Sequence, residues 1–276
     1  NRAYLLDPDN ALALAFYAEV LLDQQKWDQA RQYAEQAVAL APDMMDTHRV
    51  LATVLESVGD YRDAIQEYIA ASKLTPNLTF LYLRIGLVYR HLQIYNTALE
   101  YFERAALINE QLGVRDPLPY IAIAKTYAQQ GEFFIAARNG EKALSFDPTN
   151  ADTYGQLGMI YVQARNYETA LPALRCAVEG CSAEENETAL LFVEEGILER
   201  SVAVEPLQLT NLTVAYYYVR YGSVLAYLDE DDHSYCQRSL ALMATLRETF
   251  PEDELLMQNV EDNEATCYSL MDISAP

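Results

Sequence analysis

The chain has 276 residues and a mass of 31.2 kDa, with 41 Asp and Glu against 19 Lys and Arg, a net charge of −22 at pH 7. That length can bury a sizeable core, and 51% hydrophobic residues exclude a disordered acidic tail. No apolar run approaches the ~18 residues of a membrane helix, and so strong a negative charge disfavours nucleic acid and anionic membrane surfaces as partners.

The sequence repeats itself. Pro8, Pro42 and Pro76 are 34 residues apart, and Pro148 follows after two further periods plus four inserted residues. Ala30, Ala64, Ala98, Ala136 and Ala170 share one phase. The pairs Tyr17-Ala18, Leu51-Ala52, Ile85-Gly86, Ile123-Ala124 and Leu157-Gly158 share another, with Leu21, Leu55, Tyr89, Tyr127 and Tyr161 three residues on. Five in-phase copies resemble the tetratricopeptide repeat, from Ala11 to about Gly180. The resemblance implies an all-α, right-handed superhelical solenoid of antiparallel helix pairs, in which no pair covers its apolar faces alone and neighbours must stack.

In chain order, Asn1 to Asn10 resemble the tail of an earlier repeat; with no initiator Met, the chain reads as a piece of a longer protein. Gly59 and Gly131 stand at turns between paired helices and are expected to supply a positive φ there. The four extra residues fall within Asn109 to Leu118 and should lengthen a helix and its exit. The period lapses over Ser182 to Thr213, where the pattern predicts a helix over Glu184–Glu195. An extended stretch through Val202, Val204, Leu207 and Leu209, broken by Pro206, should follow it. A sixth pair returns at Tyr221-Gly222, its second helix running from about His233 to Thr249 before Pro251. Asp253 to Met271 reads as an amphipathic capping helix. The expected organisation is five repeats in 1–180, an irregular insertion in 181–214, and a degenerate sixth repeat with its cap in 215–276, forming one continuous solenoid.

The chain has no Gly-rich phosphate loop and no His-Glu-x-x-His, so no cofactor, metal site or catalytic constellation is expected. His48 sits at a packing phase and reads as a structural histidine rather than a ligand. The Asp229-Glu230-Asp231-Asp232 run lacks the ligand spacing and Gly of a calcium loop and reads as a solvated acidic turn. The four cysteines allow several readings: two disulfides, Cys176–Cys181 and Cys236–Cys267, or reduced core thiols, with a thiolate metal site the weakest because only one pair is close. Bridges would place the chain outside the cytosol. Sequons at Asn77, Asn186 and Asn211 are weak signals of glycosylation in a chain with this many asparagines.

The resemblance also implies a concave groove lined by the first helix of each pair. The inward phases give Arg49, Phe80, Leu83, Arg84, Leu87, Arg90, Lys125, Met159, Tyr216 and Arg220, with Ala15, Val219 and the acids Glu19, Asp46, Glu56 and Asp152 beside them. Tyr216 and Tyr227 are the tyrosines expected to face a ligand. Two readings compete for the arginines. Arg84 and Arg90, beside Phe80, Leu83 and Leu87, would hold an extended peptide; otherwise they pair with acids of neighbouring repeats. Tetratricopeptide domains that clamp a C-terminal carboxylate use a Lys and an Asn one turn apart, and Ala15 and Glu19 stand at those positions, so that function is not implied. The expected function is a non-catalytic scaffold binding a protein or extended peptide. The alternatives are a regulatory domain of a larger enzyme and a self-associating scaffold. On the binding reading, Arg84→Glu with Arg90→Glu should abolish binding and leave stability unchanged.

Overall fold

Each repeat must bury the apolar stripes of two short helices, and the sequence does so by placing small residues where the helices cross. The computed structural model describes residues 10–184 and 202–273. The repeat tail over residues 1–9, the Asn186 sequon and nearly all of the helix expected over 184–195 lie outside the described residues. Thirteen α-helices form among the described residues, together with one isolated β-bridge.

The chain divides into two compact units, Asn1–Arg115 and Asp116–Pro276. The first contains α1 (Ala11–Asp23), α2 (Trp27–Leu40), α3 (Met45–Val58), α4 (Tyr61–Leu74), α5 (Thr79–His91) and α6 (Tyr95–Gln111). The second contains α7 (Leu118–Gln129), α8 (Phe133–Phe146), α9 (Ala151–Gln163), α10 (Tyr167–Glu179), α11 (Leu212–Tyr227), α12 (Ser234–Thr249) and α13 (Glu254–Leu270). Successive helices pack as pairs, and the pairs stack through α2 on α3 and α4 on α5 in the first unit, and α8 on α9 and α10 on α11 in the second. The inserted residues make α6 17 residues long, against 14 for α2 and α4.

The crossings are close. A Cβ at Gly158 would lie 2.5 Å from Leu174 Cγ and 3.2 Å from its backbone nitrogen, and one at Gly86 would lie 2.4 Å from the Phe102 ring. Ala18, Ala30, Ala52, Ala64, Ala98, Ala136 and Ala170 are wholly buried at the corresponding phases. Around them Leu14, Leu21 and Val50 fill one core, Tyr68, Leu81 and Ile85 a second, and Tyr154, Leu174, Tyr221 and Met243 that of the second unit. Each such aliphatic side chain contributes about 1.5–3 kcal/mol on leaving water.

Two devices recur with the period. In three repeats the side chain six residues after the proline bonds to that proline's carbonyl: His48 Nε2 at 2.8 Å from Pro42 O, Tyr82 OH at 3.0 Å from Pro76 O, and Tyr154 OH at 3.2 Å from Pro148 O. His48 is thereby a repeat tie, with Nδ1 2.5 Å from Glu67. The turn inside each of the first five pairs also takes a left-handed residue at one fixed position. Gly59 and Gly131 hold it with φ of 88° and 81°, and Gln25, Gln93 and Arg165 hold it with φ near 60° in the other three pairs. An L residue there is strained by about 1–2 kcal/mol, which glycine's larger unfolded-state entropy partly offsets.

Where the period lapses, the chain is pinned at α10. Cys176 is bonded to Cys181 across a Cα–Cα distance of 4.8 Å, and Cys181 and Val204 exchange backbone hydrogen bonds at 3.0 and 2.9 Å. Leu207 N then donates to Ala177 O, while Leu207 and Leu209 pack on the core, as the extended stretch predicts. The second bridge, Cys236–Cys267, joins α12 to α13 with both cysteines wholly buried. The acidic turn corrects one expectation. Asp229 is not solvated: its side chain is 2% exposed, bonds Cys236 N at 2.9 Å and meets His233 Nδ1 at 2.8 Å. It does the work of an N-cap for α12, because His233 at the cap position is left-handed with φ 54° and makes no side-chain cap bond.

Two outcomes follow. Gln93→Gly should raise stability by about 0.5–1 kcal/mol in urea unfolding, since the native φ already suits glycine. Cys236→Ala with Cys267→Ala should cost about 4 kcal/mol, and Cys176→Ala with Cys181→Ala about 2, following loop lengths set by separations of 31 and 5 residues.

Candidate functional site

On the first helices of the first unit, arginine and acid alternate from one repeat to the next. Arg49 on α3 reaches back to Glu19 on α1 at 2.7 Å and to Asp46 one turn earlier at 3.4 Å. Arg84 on α5 reaches back to Glu56 on α3 at 2.6 Å and donates to Tyr68 OH at 3.2 Å. The Tyr68 hydroxyl donates in turn to Glu56 at 2.8 Å and lies 3.2 Å from Thr53 Oγ1. Burial opposes the charge on both guanidiniums. The hydrogen bonds and charge of Glu19 and Asp46 for Arg49, and of Tyr68 and Glu56 for Arg84, outweigh it and raise both pKa values. Burial foremost pushes the Tyr68 phenol up, and Glu56 adds to it.

The arginine expectation therefore needs correcting. Arg84→Glu would set a second carboxylate beside Glu56 and strand the Tyr68 hydroxyl bond, so it cannot leave stability unchanged. Arg90 lies over the Phe102 ring at 5.9 Å, and burial lowers its pKa. Phe80 is 45% exposed and Leu87 half-buried, whereas Leu83 is buried. Leu83 shares its register with Ala15, Arg49 and, in the second unit, Val219. Ala15, Leu83 and Val219 are all buried, and only the long Arg49 stem carries its charge out from that position. Phe16 is a residue missed from sequence; it is 47% exposed on α1, and its distance of two periods from Arg84 was the available signal.

In the second unit the predicted residues are spread over three helices. Lys125 is exposed on α7 and Met159 is half-buried against the core on α9, while Tyr216 and Arg220 are half-buried on α11. Tyr227, 67% exposed, sets its ring 4.3 Å from Tyr167. Asp152 is already engaged: it accepts from Tyr217 OH at 2.9 Å and from Gln156 Nε2. Burial first, then the Asp152 charge, drives the Tyr217 pKa well up. Tyr161 is raised by burial and by its 2.5 Å bond to Glu141. A pocket of about 340 Å³ opens beside Leu212, Phe250 and Pro251, where the Asp253 carboxylate is spent capping α13 through Leu256 N at 2.8 Å. Among the described residues, no group of three or more His, Cys, Asp or Glu is placed to hold a metal ion, and no helix is long and apolar enough to cross a membrane.

Tetratricopeptide-repeat profiles match residues 21–83, 81–112 and 140–171. No curated protein matches the sequence. Among solved structures, the chain is similar to a chain of the APC/C hetero-tetramer Cut9–Hcn1, with a TM-score of 0.62 at 16% identity over 95% of this chain. It spans only 44% of that relative's length. It is also similar to pilF of Pseudomonas aeruginosa, with a TM-score of 0.62 at 14% identity over 91% of this chain and 97% of that one. A tetratricopeptide repeat protein from Parabacteroides merdae gives 0.58 at 16% identity, over 95% and 87%. At these identities the likeness shows the fold.

The buried tyrosines make stability sensitive to alkali. Their folded pKa values lie above the unfolded value of about 10, so the stabilisation is complete below that pH and drains as pH rises from there towards the folded values. The melting temperature should fall above about pH 10. Tyr217→Phe, though less stable at neutral pH, should show a shallower alkaline fall; an unchanged slope would remove Tyr217 from the account.

Proposed function

Because the chain is a tetratricopeptide-repeat protein, we propose that it is a non-catalytic scaffold that binds an extended peptide segment of a partner protein along the first helices of its repeats. The observation that carries this reading is Phe80, 45% exposed on α5, with half-buried Leu87 and the Arg84–Glu56–Tyr68 network beside it. Since Arg49 and Arg84 are already neutralised by acids of the preceding repeat, apolar contact supplies most of the affinity and the fixed polar groups set orientation. A C-terminal carboxylate is not the feature recognised: Ala15 is buried and Glu19 is bound to Arg49.

Two further observations bear on the alternatives. α13 exposes Glu254, Gln258, Glu261 and Asp262 together with Leu255 and Leu270, 64% and 47% exposed, so this helix mixes charge with apolar side chains that a neighbour would cover. The two disulfides support a compartment that keeps thiols oxidised.

The test is a displayed library of peptides selected on the wild-type chain and re-measured on Phe80→Ser, whose exposed position leaves folding intact. Loss of about tenfold or more in affinity, with little change on adding salt, is expected. Selected binders indifferent to Phe80 would sink the reading.

A further inference from the structure

The second helices present the outer surface of the repeats, and one of them breaks the pattern of the others. In the first five pairs each opens on an aromatic residue (Trp27, Tyr61, Tyr95, Phe133, Tyr167) and buries an alanine three residues later. The two positions between are polar in four pairs: Asp28-Gln29, Arg62-Asp63, Asn96-Thr97 and Glu168-Thr169. In α8 they are Phe134 and Ile135, exposed by 77% and 40%. No large hydrophobic residue among those described is more exposed than Phe134. Packing within the repeat does not ask for either side chain, because the aromatic–alanine frame around them is the same in all five of these pairs.

The charge on the same face also sets α8 apart. Arg138 and Lys142 stand one and two turns beyond Phe134, so the three form a single ridge along α8. The matching positions are Gln32 and Gln36 on α2, Gln66 and Ala70 on α4, and Glu100 and Arg104 on α6, and none of these helices pairs two cations there. Lys142 Nζ sits 5.2 Å from the Phe146 ring centroid and 5.9 Å from that of Tyr120, which anchors its position on the ridge. A chain with 41 acids and 19 bases thus places two cations and two exposed apolar side chains together on one helix face.

We propose that the outer face of α8 is a second docking surface, distinct from the first-helix surface, and that it takes an acidic amphipathic helix of a partner protein. A straight ridge at i, i+4 and i+8 fits between the ridges of another helix. Apolar residues at three- and four-residue spacing on that helix would cover Phe134 and Ile135, and its flanking carboxylates would meet Arg138 and Lys142. One helix against one ridge makes a small, transient contact. A chain at −22 repels an acidic helix overall, so the apolar contacts and the two cations of this face must together outweigh that repulsion.

The experiment uses the whole chain and two labelled synthetic helices with the same leucine stripe, one flanked by Glu and the other by Lys, titrated by fluorescence anisotropy. The Glu helix should bind; Phe134→Ser should weaken it about tenfold with an unchanged melting temperature, and Lys142→Glu should weaken it by a similar factor. The Lys helix should be attracted by general charge and show no response to Phe134→Ser. Failure of the Glu helix to bind, or binding indifferent to both substitutions, overturns the proposal. So does sedimentation showing that the wild-type chain dimerises and Phe134→Ser does not, since the face would then belong to a second copy.

Discussion

The structure depends on how closely its helices can approach at their crossings. Gly86 faces the ring of Phe102 and Gly158 faces Leu174, and in each case a single added carbon would overlap its neighbour. Close approach lets Leu, Val and Tyr side chains interdigitate between helices of only 12 to 17 residues, which are marginal alone. The period of 34 follows from this. The small residue and the turn recur at the same offsets from repeat to repeat, so that each repeat presents the matching face to the next. The tie from His48, Tyr82 and Tyr154 to the preceding proline carbonyl satisfies a backbone group that the proline leaves without a helical partner, and it holds the entry of each first helix to the exit of the one before.

The same stacking organises charge. Arg49 and Arg84 reach back 30 and 28 residues to acids on the previous first helix, so each ion pair spans a repeat boundary. These pairs are partly exposed and each contributes about 1 kcal/mol at most, but they fix which way the guanidiniums point and cancel much of the charge along this wall. Beside these pairs the same helices expose Phe16 and Phe80 and leave Leu87 half-buried.

The fold was legible because a fixed period reports packing directly, and Pro42, Pro76 and Ala30, Ala64, Ala98 are each explained by one physical need. The candidate surface was legible only in part. Phase tells which residues share a face, but not how far a side chain reaches from it. Arg49 and Leu83 occupy the same register, yet Arg49 extends its charge outward while Leu83 lies flat and is covered. The Tyr68 hydroxyl could not be found from the first helices, since its ring belongs to the second helix of its pair and only the oxygen arrives among Thr53, Glu56 and Arg84. Asp229 was misjudged because four consecutive acids look alike in sequence. Only the left-handed His233, which leaves the start of α12 without a side-chain cap, explains why one of them is buried.

Covalent closure appears where the period gives out. Beyond α10, among the described residues, an extended stretch packs Leu207 and Leu209 on the core, and Leu207 N donates to Ala177 O. A lone strand paired by one bridge cannot hold its register through hydrogen bonds alone. The Cys176–Cys181 bond fixes Cys181 at the point where it pairs with Val204, and Gly180 at φ 76° turns the chain there with no room for a side chain: a Cβ would lie 2.7 Å from Val204 O. At the other end of the second unit α13 has no following repeat among the described residues to cover it, and Cys236–Cys267 ties it to α12 through a wholly buried bond. One bridge thus stands where the repeat period lapses and the other joins the last two described helices, and the regular repeats contain no cysteine until the last turn of α10.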